Sequence, residues 1–490
     1  MGACATLESV TDAKPSSETR SVGPSPAFDA DELERVTGGR LLVRSSGPIL
    51  GAAVDSRLVE PGQLFVALPG ERTDGHAFLA DAARAGAAAL IVSRDVEDPA
   101  ALGDLTILRV DDGLAALHAI AAAWRTRFDP LVVGVTGSIA KTSTKEAIAT
   151  VLATRFNTLK NEGNQNNEIG LPLTVLRITL EHEAAVLEMG MYVGGEIADL
   201  ARIGRPRIGV VTAVQPVHLS RIGSIEAIEK AKGELVEALP AAAAGGVALL
   251  NADDPRVRRM AARTPAAVTT YGFEPDADVT AGEVESAGTD GMRFELRTPH
   301  GERRVRVPGL GRMSVHNALA AAAVGQAAGL TLDEVEAGLE RGWGAPHRAQ
   351  LIRAGGLTIV DDAYNASPAS VSAALELLSG LRGRRVAVLG EMLELGEEHE
   401  AGHRAVGAAA AATVDLLIVV GSGARPIVNG ARDGGLDPAR IVEVPDRAAA
   451  LAALMTRHRP GDVVLVKASR GIELDRLVDD LVTALGGHRP

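Results

Sequence analysis

The stretch Gly134-Val-Thr-Gly137-Ser138-Ile139-Ala140-Lys141-Thr142-Ser143-Thr-Lys145 constrains this chain more than any other. Before it, the apolar run Leu131 to Val135 reads as a buried parallel strand, and after it Glu146 to Phe156 is rich in helix formers. A turn between such elements presents backbone N–H groups and a helix N-terminus to phosphate oxygens. Lys141 is then placed to reach the β- and γ-phosphates of a nucleotide, and the Thr142 hydroxyl to ligate Mg²⁺. The usual spacing puts glycine directly before the lysine and again six residues before it, where this chain has Ala140 and Val135. Its glycines are Gly134 and Gly137, so Ala140 requires either a negative φ or locally absorbed strain. The same pattern also occurs as an ordinary glycine-rich turn, and the residues downstream must decide.

At 490 residues the chain is too long for one core, and about three domains are expected. Hydrophobic residues make up 46% but aromatic ones only 2%, so alanine, valine and leucine must build the cores, as in parallel sheets under alanine-rich helices. A net charge of -13 argues against a protein whose main task is to coat nucleic acid. The single cysteine, Cys4, excludes an intramolecular disulfide and suits a reducing compartment. No apolar run is long enough to span a bilayer and no signal sequence is evident, so the expected location is the cytoplasm without membrane insertion. The opening Met1-Gly2-Ala3-Cys4-Ala5-Thr6 fits a myristoylation pattern only formally, and residues 1–27 are expected to be a disordered tail.

Residues 28–125 alternate short strands, at Gln63 to Leu68 and Ala88 to Ser93, with a helix from His76 to Arg84. Two polar clusters there, Asp55-Ser56-Arg57 and Thr73-Asp74-Gly75-His76, read as turn chemistry first and as contacts to an anionic or uracil-like ligand second. The second domain, 126–344, begins with the phosphate loop and continues into the amide-dense run Asn161 to Pro172, which holds Asn164, Asn166 and Asn167. Buried amides must satisfy several hydrogen bonds each, so this run suits a substrate-facing loop at a sheet's C-terminal edge. Glu188 ends a strand beginning at Ala184, a position where Mg²⁺ finds a second protein contact in phosphate-loop proteins. His218, just past the strand Arg207 to Val214, is structural or a second metal ligand. Lys232, beside the apolar stripe of a helix starting at Ser224, is a snorkelling lysine or one able to form a carbamate with CO₂. Residues 270–308 suggest a small antiparallel excursion, and Gly309 to Asn317 opens an alanine-rich helix.

The third domain, 345–490, follows a hinge at Trp343 to Arg348. Its strand-like runs, Leu357 to Val360, Arg385 to Leu389, Leu416 to Val420, Arg440 to Val444 and Asp462 to Lys467, have the rhythm of a doubly wound sheet. Asp361-Asp362-Ala-Tyr364-Asn365-Ala-Ser367-Pro368, Gly390 to Gly396 and Lys467 to Gly471 all fall at its ligand-binding edge.

From Phe28 onward this order of motifs resembles the Mur ligase family. The likeness is most specific at Asp361 to Pro368 with Leu389 to Gly396, and Asn164 to Gly170, Asp55 to Arg57 and Asp74 to His76 agree with it. The resemblance implies an α/β protein of three domains: a small substrate domain, a central ATPase-like parallel sheet and a Rossmann-like C-terminal sheet. It implies ATP and Mg²⁺, held by Gly134, Gly137, Ser138 to Ser143, Asn317, Arg348, Asp362 and Tyr364. Metal ligands would be Thr142, Glu188, His218 and Lys232 as its carbamate, with Lys141, Glu188, His218, Lys232 and Arg348 catalytic. Substrate contacts would come from Ser56, Arg57, Asp74, His76, Asn164, Asn166, Asn167 and Asn365. The implied substrates are UDP-N-acetylmuramoyl-tripeptide and D-alanyl-D-alanine, joined through an acyl phosphate by a cytoplasmic monomer. The Asp361 to Pro368 signature argues against a diaminopimelate-adding relative. This chain departs from the family pattern at Ala140, Ala213, Met313-Ser314 and Ser367. Those departures leave room for a divergent ligase with another amino-acid acceptor, or for a non-catalytic nucleotide-binding partner in cell-wall assembly.

Overall fold

The computed structural model describes residues 27–70, 73–216 and 222–487, so the expected tail lies outside the described residues up to position 26, as does His218. Three sheets organise the described chain. In the first, the strands Arg40–Val43, Thr106–Arg109, Ala89–Val92, Leu64–Val66 and Ala52–Ala53 follow in that spatial order, parallel except for the pairing of the first two. The helix expected at His76 to Arg84 is a 3₁₀ turn, Gly75–Phe78, running into an α-helix, Leu79–Arg84. Asp74 produces the turn by accepting a hydrogen bond from the His76 N–H.

The helix Gly113–Arg125 closes this region and belongs structurally to the next as well. Asp112 caps it by accepting from the Leu114 and Ala115 N–H groups. Its far end is tied into the second region, where Trp124 Nε1 donates to the Ile178 carbonyl at 3.0 Å and Arg125 Nε to that of Gly204 at 3.0 Å. A continuous apolar core runs from Phe28 and Leu117 through Trp124 to Leu171 and Leu187.

The central sheet has nine strands in the order Gly301–Val307, Met292–Thr298, Val279–Ser286, Ala267–Gly272, Val247–Asn251, Ile208–Val211, Leu131–Thr136, Ala184–Glu188 and Thr158–Lys160. Pairing is parallel from Val279–Ser286 to the Thr158–Lys160 edge and antiparallel in the two hairpin pairs at the other end. This is the antiparallel excursion expected over 270–308. Strands buried on both faces carry no alternation, and Leu131–Thr136 is buried at all but its first residue. The helix Gly311–Ala327 covers the sheet with Ala318 and Ala320 to Ala323, all buried. Such small side chains let it lie close against the helix Lys141–Leu152.

In the third sheet the order is Gln350–Ala354, Leu357–Asp361, Val463–Lys467, Arg385–Gly390, Leu416–Val420 and Ile441–Val444, with only the first pair antiparallel. All five expected strands are present. The sixth, Gln350–Ala354, lies where a hinge alone is legible, because its burial comes from pairing with Leu357–Asp361 and not from its own pattern. The C-terminal ends of the parallel strands in the second and third sheets carry the polar residues that follow.

Candidate active site

The strand Leu131–Thr136 ends in a loop that is fastened to its neighbour at every step. Gly137 has φ 150°, and a Cβ on it would lie 1.9 Å from Thr212 Oγ1. Ser138 N–H donates to the Ala213 carbonyl at 2.8 Å, while Ser138 Oγ donates to the Gln215 carbonyl and accepts from its N–H. Thr212 Oγ1 donates to the Ile139 carbonyl at 2.6 Å. Ala213 contributes only its backbone here, so its small side chain leaves the fastening of the loop intact. Ala140 sits at φ 64°, in the left-handed region, and offers no side-chain cap to the helix Lys141–Leu152. The first N–H groups of that helix are thus open toward the cavity, as an anion site requires.

Of the two routes open to Ala140, the chain takes the strained one. A left-handed non-glycine residue costs about 1–2 kcal/mol. Ala140→Gly is therefore expected to stabilise the protein by about 1 kcal/mol, after the greater unfolded-state freedom of glycine is deducted. Urea unfolding checks this, and an unchanged or lower midpoint would contradict it.

Gly134 requires a correction. It lies inside the strand, away from the loop, where a Cβ would come 2.9 Å from Leu235 Cδ1 and 3.3 Å from Met189 Cε. Its role is to let the helix Ile225–Glu237 pack closely, not to hold phosphate.

Ser138 to Ser143 line a cavity of 1610 Å³, together with Asn164, Asn166, Asn167, Glu188, Asn317, Arg348, Asp362, Tyr364 and Asn365. That volume exceeds the usual range for one small ligand, roughly 300–1,000 Å³, and admits several substrates at once. Glu188, only 1% exposed, accepts from Asn166 Nδ2 at 2.7 Å through Oε1. Its Oε2 is buried and has no hydrogen-bond partner. Asn161 orients the strand end, its Oδ1 accepting from the Glu188 N–H and its Nδ2 donating to the Gln165 and Glu188 carbonyls. Asn167 Oδ1 accepts from the Gly170 N–H, and Asn317 Oδ1 accepts from Thr144 Oγ1 at 3.0 Å, linking the phosphate-loop helix to the covering helix.

Burial pulls the Lys141 ammonium below its ordinary range, against the opposing charge of Glu188, and the charge of Arg348 adds to the shift. Lys232, 3% exposed, is pulled well below the usual lysine value by burial and then by Lys141, with Glu234 opposing. It is no snorkelling surface lysine. Between its lowered folded value and the unfolded value of about 10.4, the unfolded chain holds more protons at this residue, so folding stability rises with pH across that window. Lys232→Met is expected to remove that contribution. Unfolding free energies of both proteins between pH 7 and 10 would show a shallower slope for the variant, and parallel slopes would refute the burial argument.

The C-terminal side of the cavity is set by the hinge. His347 and Ala349, at φ 58° and 51°, flank Arg348 in the left-handed region. Each is anchored, His347 Nδ1 to Asp361 Oδ2 at 2.9 Å and the Ala349 N–H to Asp362 Oδ1 at 3.1 Å. Lys467 Nζ reaches Asp362 Oδ2 at 2.6 Å and the Asn365 carbonyl at 2.9 Å. This anchoring directs Arg348 over the Tyr364 ring, 4.1 Å from its centroid. Asp362 thus acts first as the hinge's anchor. Ser367 caps the helix Pro368–Ser379 reciprocally with Ser370, a role that accounts for serine at this departure. Ser314 Oγ donates to the Gly309 and Gly311 carbonyls, holding the turn before the covering helix.

Ser56, Arg57, Asp74 and His76 are not among the residues lining this cavity. Arg57 grips Asp55 with two hydrogen bonds, at 2.9 and 2.6 Å, and holds its carboxyl down at about 2. His76 has both ring nitrogens in use, Nδ1 on Asp74 at 2.7 Å and Nε2 accepting from the Ser93 N–H. Here the turn-chemistry reading describes the geometry. Residues absent from the expected set but lining the cavity include Phe273, Arg312, Met313, Lys467, Ser469 and Arg470. For the last three a signal existed, since they follow a strand at the ligand-binding edge.

A phosphate loop that faces a second doubly wound sheet across an anchored hinge defines a nucleotide-using enzyme whose site is completed by two domains. Comparison with known proteins gives the family. Residues 48–125 match the Mur ligase family, catalytic domain, residues 135–325 the Mur ligase middle domain, and residues 347–470 the Mur ligase, glutamate ligase domain. UDP-N-acetylmuramoyl-tripeptide--D-alanyl-D-alanine ligase from Mycobacterium tuberculosis is 40% identical over 481 residues, spanning 89% of this chain and 93% of that one. A crystal structure of MurF from Acinetobacter baumannii superimposes with a TM-score of 0.83 at 30% identity, covering 94% of this chain and 100% of that chain. MurF from Thermotoga maritima, solved in complex with ADP, gives a TM-score of 0.79 at 29% identity and covers 89% and 98%. The chain belongs to the Mur ligase family and is an ATP-dependent ligase. No helix among the described residues is long and apolar enough to cross a membrane.

Proposed function

We propose that this chain joins D-alanyl-D-alanine to UDP-N-acetylmuramoyl-tripeptide at the cost of ATP, releasing ADP and phosphate, in the synthesis of peptidoglycan precursors. The observation that carries the reading is one continuous cavity that brings Lys141 and Thr142, the buried carboxylate of Glu188, and Arg348 from the hinge into a single site. The names and coverage of the relatives supply the substrates.

In this reading a carboxylate oxygen of the tripeptide attacks the γ-phosphorus of ATP and ADP leaves. The dipeptide's amine then attacks the acyl carbon, loses a proton, and phosphate departs with the C–O bond's electrons. Both steps concentrate negative charge, and the protein's part is to position the reactants and offset that charge. Lys141 and the open N–H groups of its helix hold the phosphate end, with Arg348 facing them from the hinge. The unpartnered Glu188 Oε2 belongs to a residue that lines the same cavity as Thr142 and fits Mg²⁺, which prefers oxygen ligands. When bound, Mg²⁺ offsets charge on the transferring phosphoryl group. Lys232, whose charged form burial disfavours, is suited to form the carbamate that would add an anionic oxygen to this set. The amide loop of Asn164, Asn166 and Asn167, with Asn365, faces the peptide, and the chain works as a cytoplasmic monomer.

The test is phosphate release with Mg-ATP, UDP-N-acetylmuramoyl-tripeptide and D-alanyl-D-alanine, omitting each in turn, with mass spectrometry of the product. Release that needs all three, with a pentapeptide product, is expected. Nucleotide binding without turnover would overturn the assignment and favour a non-catalytic role, whereas turnover with other acceptors alone would define a divergent ligase.

A further inference from the structure

Arginines elsewhere on this chain typically meet carboxylates, as Arg155 meets Glu334 and Arg303 meets Asp333. Three arginines lining the cavity depart from that habit. Arg312 lies over Phe273, and Arg348 and Arg470 both lie over Tyr364, with no carboxylate partner among the described residues. A ring face supports a guanidinium while leaving most of its N–H fork free, so these side chains are held ready for anions that arrive with ligands.

Two of the three share one ring, with guanidinium carbons 4.1 and 5.4 Å from its centroid. Like charges so close repel one another, and the repulsion falls when each receives its own anion. Arg348 is the one on the phosphate side, since its charge is felt at Lys141. Arg470 belongs to the other end. It follows the strand Val463–Lys467, is exposed, and donates through Nη1 to the Tyr364 hydroxyl at 3.3 Å. Leu393, 39% exposed, stands beside it across Gly471, where an added Cβ would lie 3.0 Å from Leu393 Cδ1. A guanidinium next to an exposed leucine fits a small apolar residue that ends in a carboxylate.

We propose that Arg470 receives the C-terminal carboxylate of the incoming dipeptide and that the step across Tyr364 to Arg348 selects its length. The proposal rests on the ligase reading above and names the anchor for one of its substrates. An extended dipeptide measures about 7 Å, two residues at about 3.5 Å each. Bound by its carboxylate at Arg470, it carries its amine past the ring toward the phosphate side, where the acyl carbon is activated. A single amino acid held the same way leaves its amine about one residue short.

The experiment compares wild type, Arg470→Ala and Arg470→Lys with D-alanyl-D-alanine and with D-alanyl-D-alaninamide, whose terminal carboxylate is replaced. Arg470→Ala is expected to raise KM for the dipeptide about 30-fold, the loss typical of one partner of a hydrogen-bonded charge pair. KM for ATP and for the nucleotide-sugar peptide should stay within about twofold, and Arg470→Lys should recover part of the loss. The amide should be a poor substrate for wild type and no poorer for Arg470→Ala than the dipeptide is. A comparable rise in KM for ATP or the nucleotide-sugar peptide would place Arg470 on another anion and overturn the proposal. So would an amide penalty equal in wild type and variant. Absence of wild-type turnover with the dipeptide overturns the ligase reading itself, and no variant is needed to see it.

Discussion

Replacing Lys141 by alanine is expected to lower turnover about 10⁴-fold, within the range seen when a cation facing a transferred phosphoryl group is removed, while the fold stays in place. Lys141 begins the helix Lys141–Leu152 and faces the cavity beside Glu188 and Arg348. Burial already pulls its ammonium below the ordinary range, and Arg348 pulls it in the same direction. Its charged form is therefore disfavoured in the empty site, a cost that a polyphosphate would offset. Without nucleotide, the alanine variant loses that conflict, so its urea midpoint should be unchanged or higher. A rate within tenfold of wild type would remove Lys141 from the phosphate site. A collapsed urea midpoint would instead make the lysine a structural residue. Lys141→Arg should not restore the rate, because a planar fork does not replace a compact ammonium at the end of a four-carbon stem.

The parallel strands were legible because burial on both faces leaves an unbroken apolar run. Leu131–Thr136, Ala184–Glu188 and Leu416–Val420 each show one. Residues at the ends of such strands could be placed without coordinates, since open parallel sheets bind ligands beyond their strands' C-terminal ends. Lys141, Thr142, Glu188, Arg348 and Tyr364 do meet in one cavity. Gln350–Ala354 was not legible, because its burial is supplied by the strand it pairs with.

What else escaped depends on packing between elements distant in sequence. Gly134 looks like part of a phosphate loop until Leu235, about a hundred positions away, is seen against it. His76 looks available until Ser93 is found to supply a hydrogen to its second nitrogen. Ala140 could not be assigned a backbone conformation from its neighbours, and its φ of 64° is imposed by a loop fastened to Thr212, Ala213 and Gln215. Arg312 carried no motif of its own, and only its aromatic partner separates it from the surface arginines, whereas Arg470 was placed at the ligand-binding edge by the strand before it but its ring partner was not legible.

Glu188→Gln is the second substitution with a large expected effect, because it changes charge while keeping shape. The wild-type carboxylate is tied on one side, with Asn166 Nδ2 donating to Oε1, and is buried and unpartnered on the other. A buried carboxylate oxygen without a donor is costly, and such a site persists in evolution only if something else satisfies it. In the glutamine variant the amide oxygen can still accept from Asn166, and the NH₂ group then occupies the place of Oε2. That group cannot ligate a cation, and the Lys141 ammonium loses the charge that had favoured it. Turnover should fall about 10³-fold, the upper range for removing one preorganised electrostatic contact. Stability in the absence of nucleotide should change little, since the cost of the orphaned carboxylate oxygen is gone but the buried Lys141 ammonium loses its opposing charge. Raising the Mg²⁺ concentration should recover part of the lost rate if Glu188 is a cation ligand, with the half-saturating concentration shifted upward. A variant that keeps both the wild-type rate and the wild-type Mg²⁺ dependence would show that the orphaned oxygen serves no metal, and the strand-end carboxylate would then have to be explained by its bond to Asn166 alone.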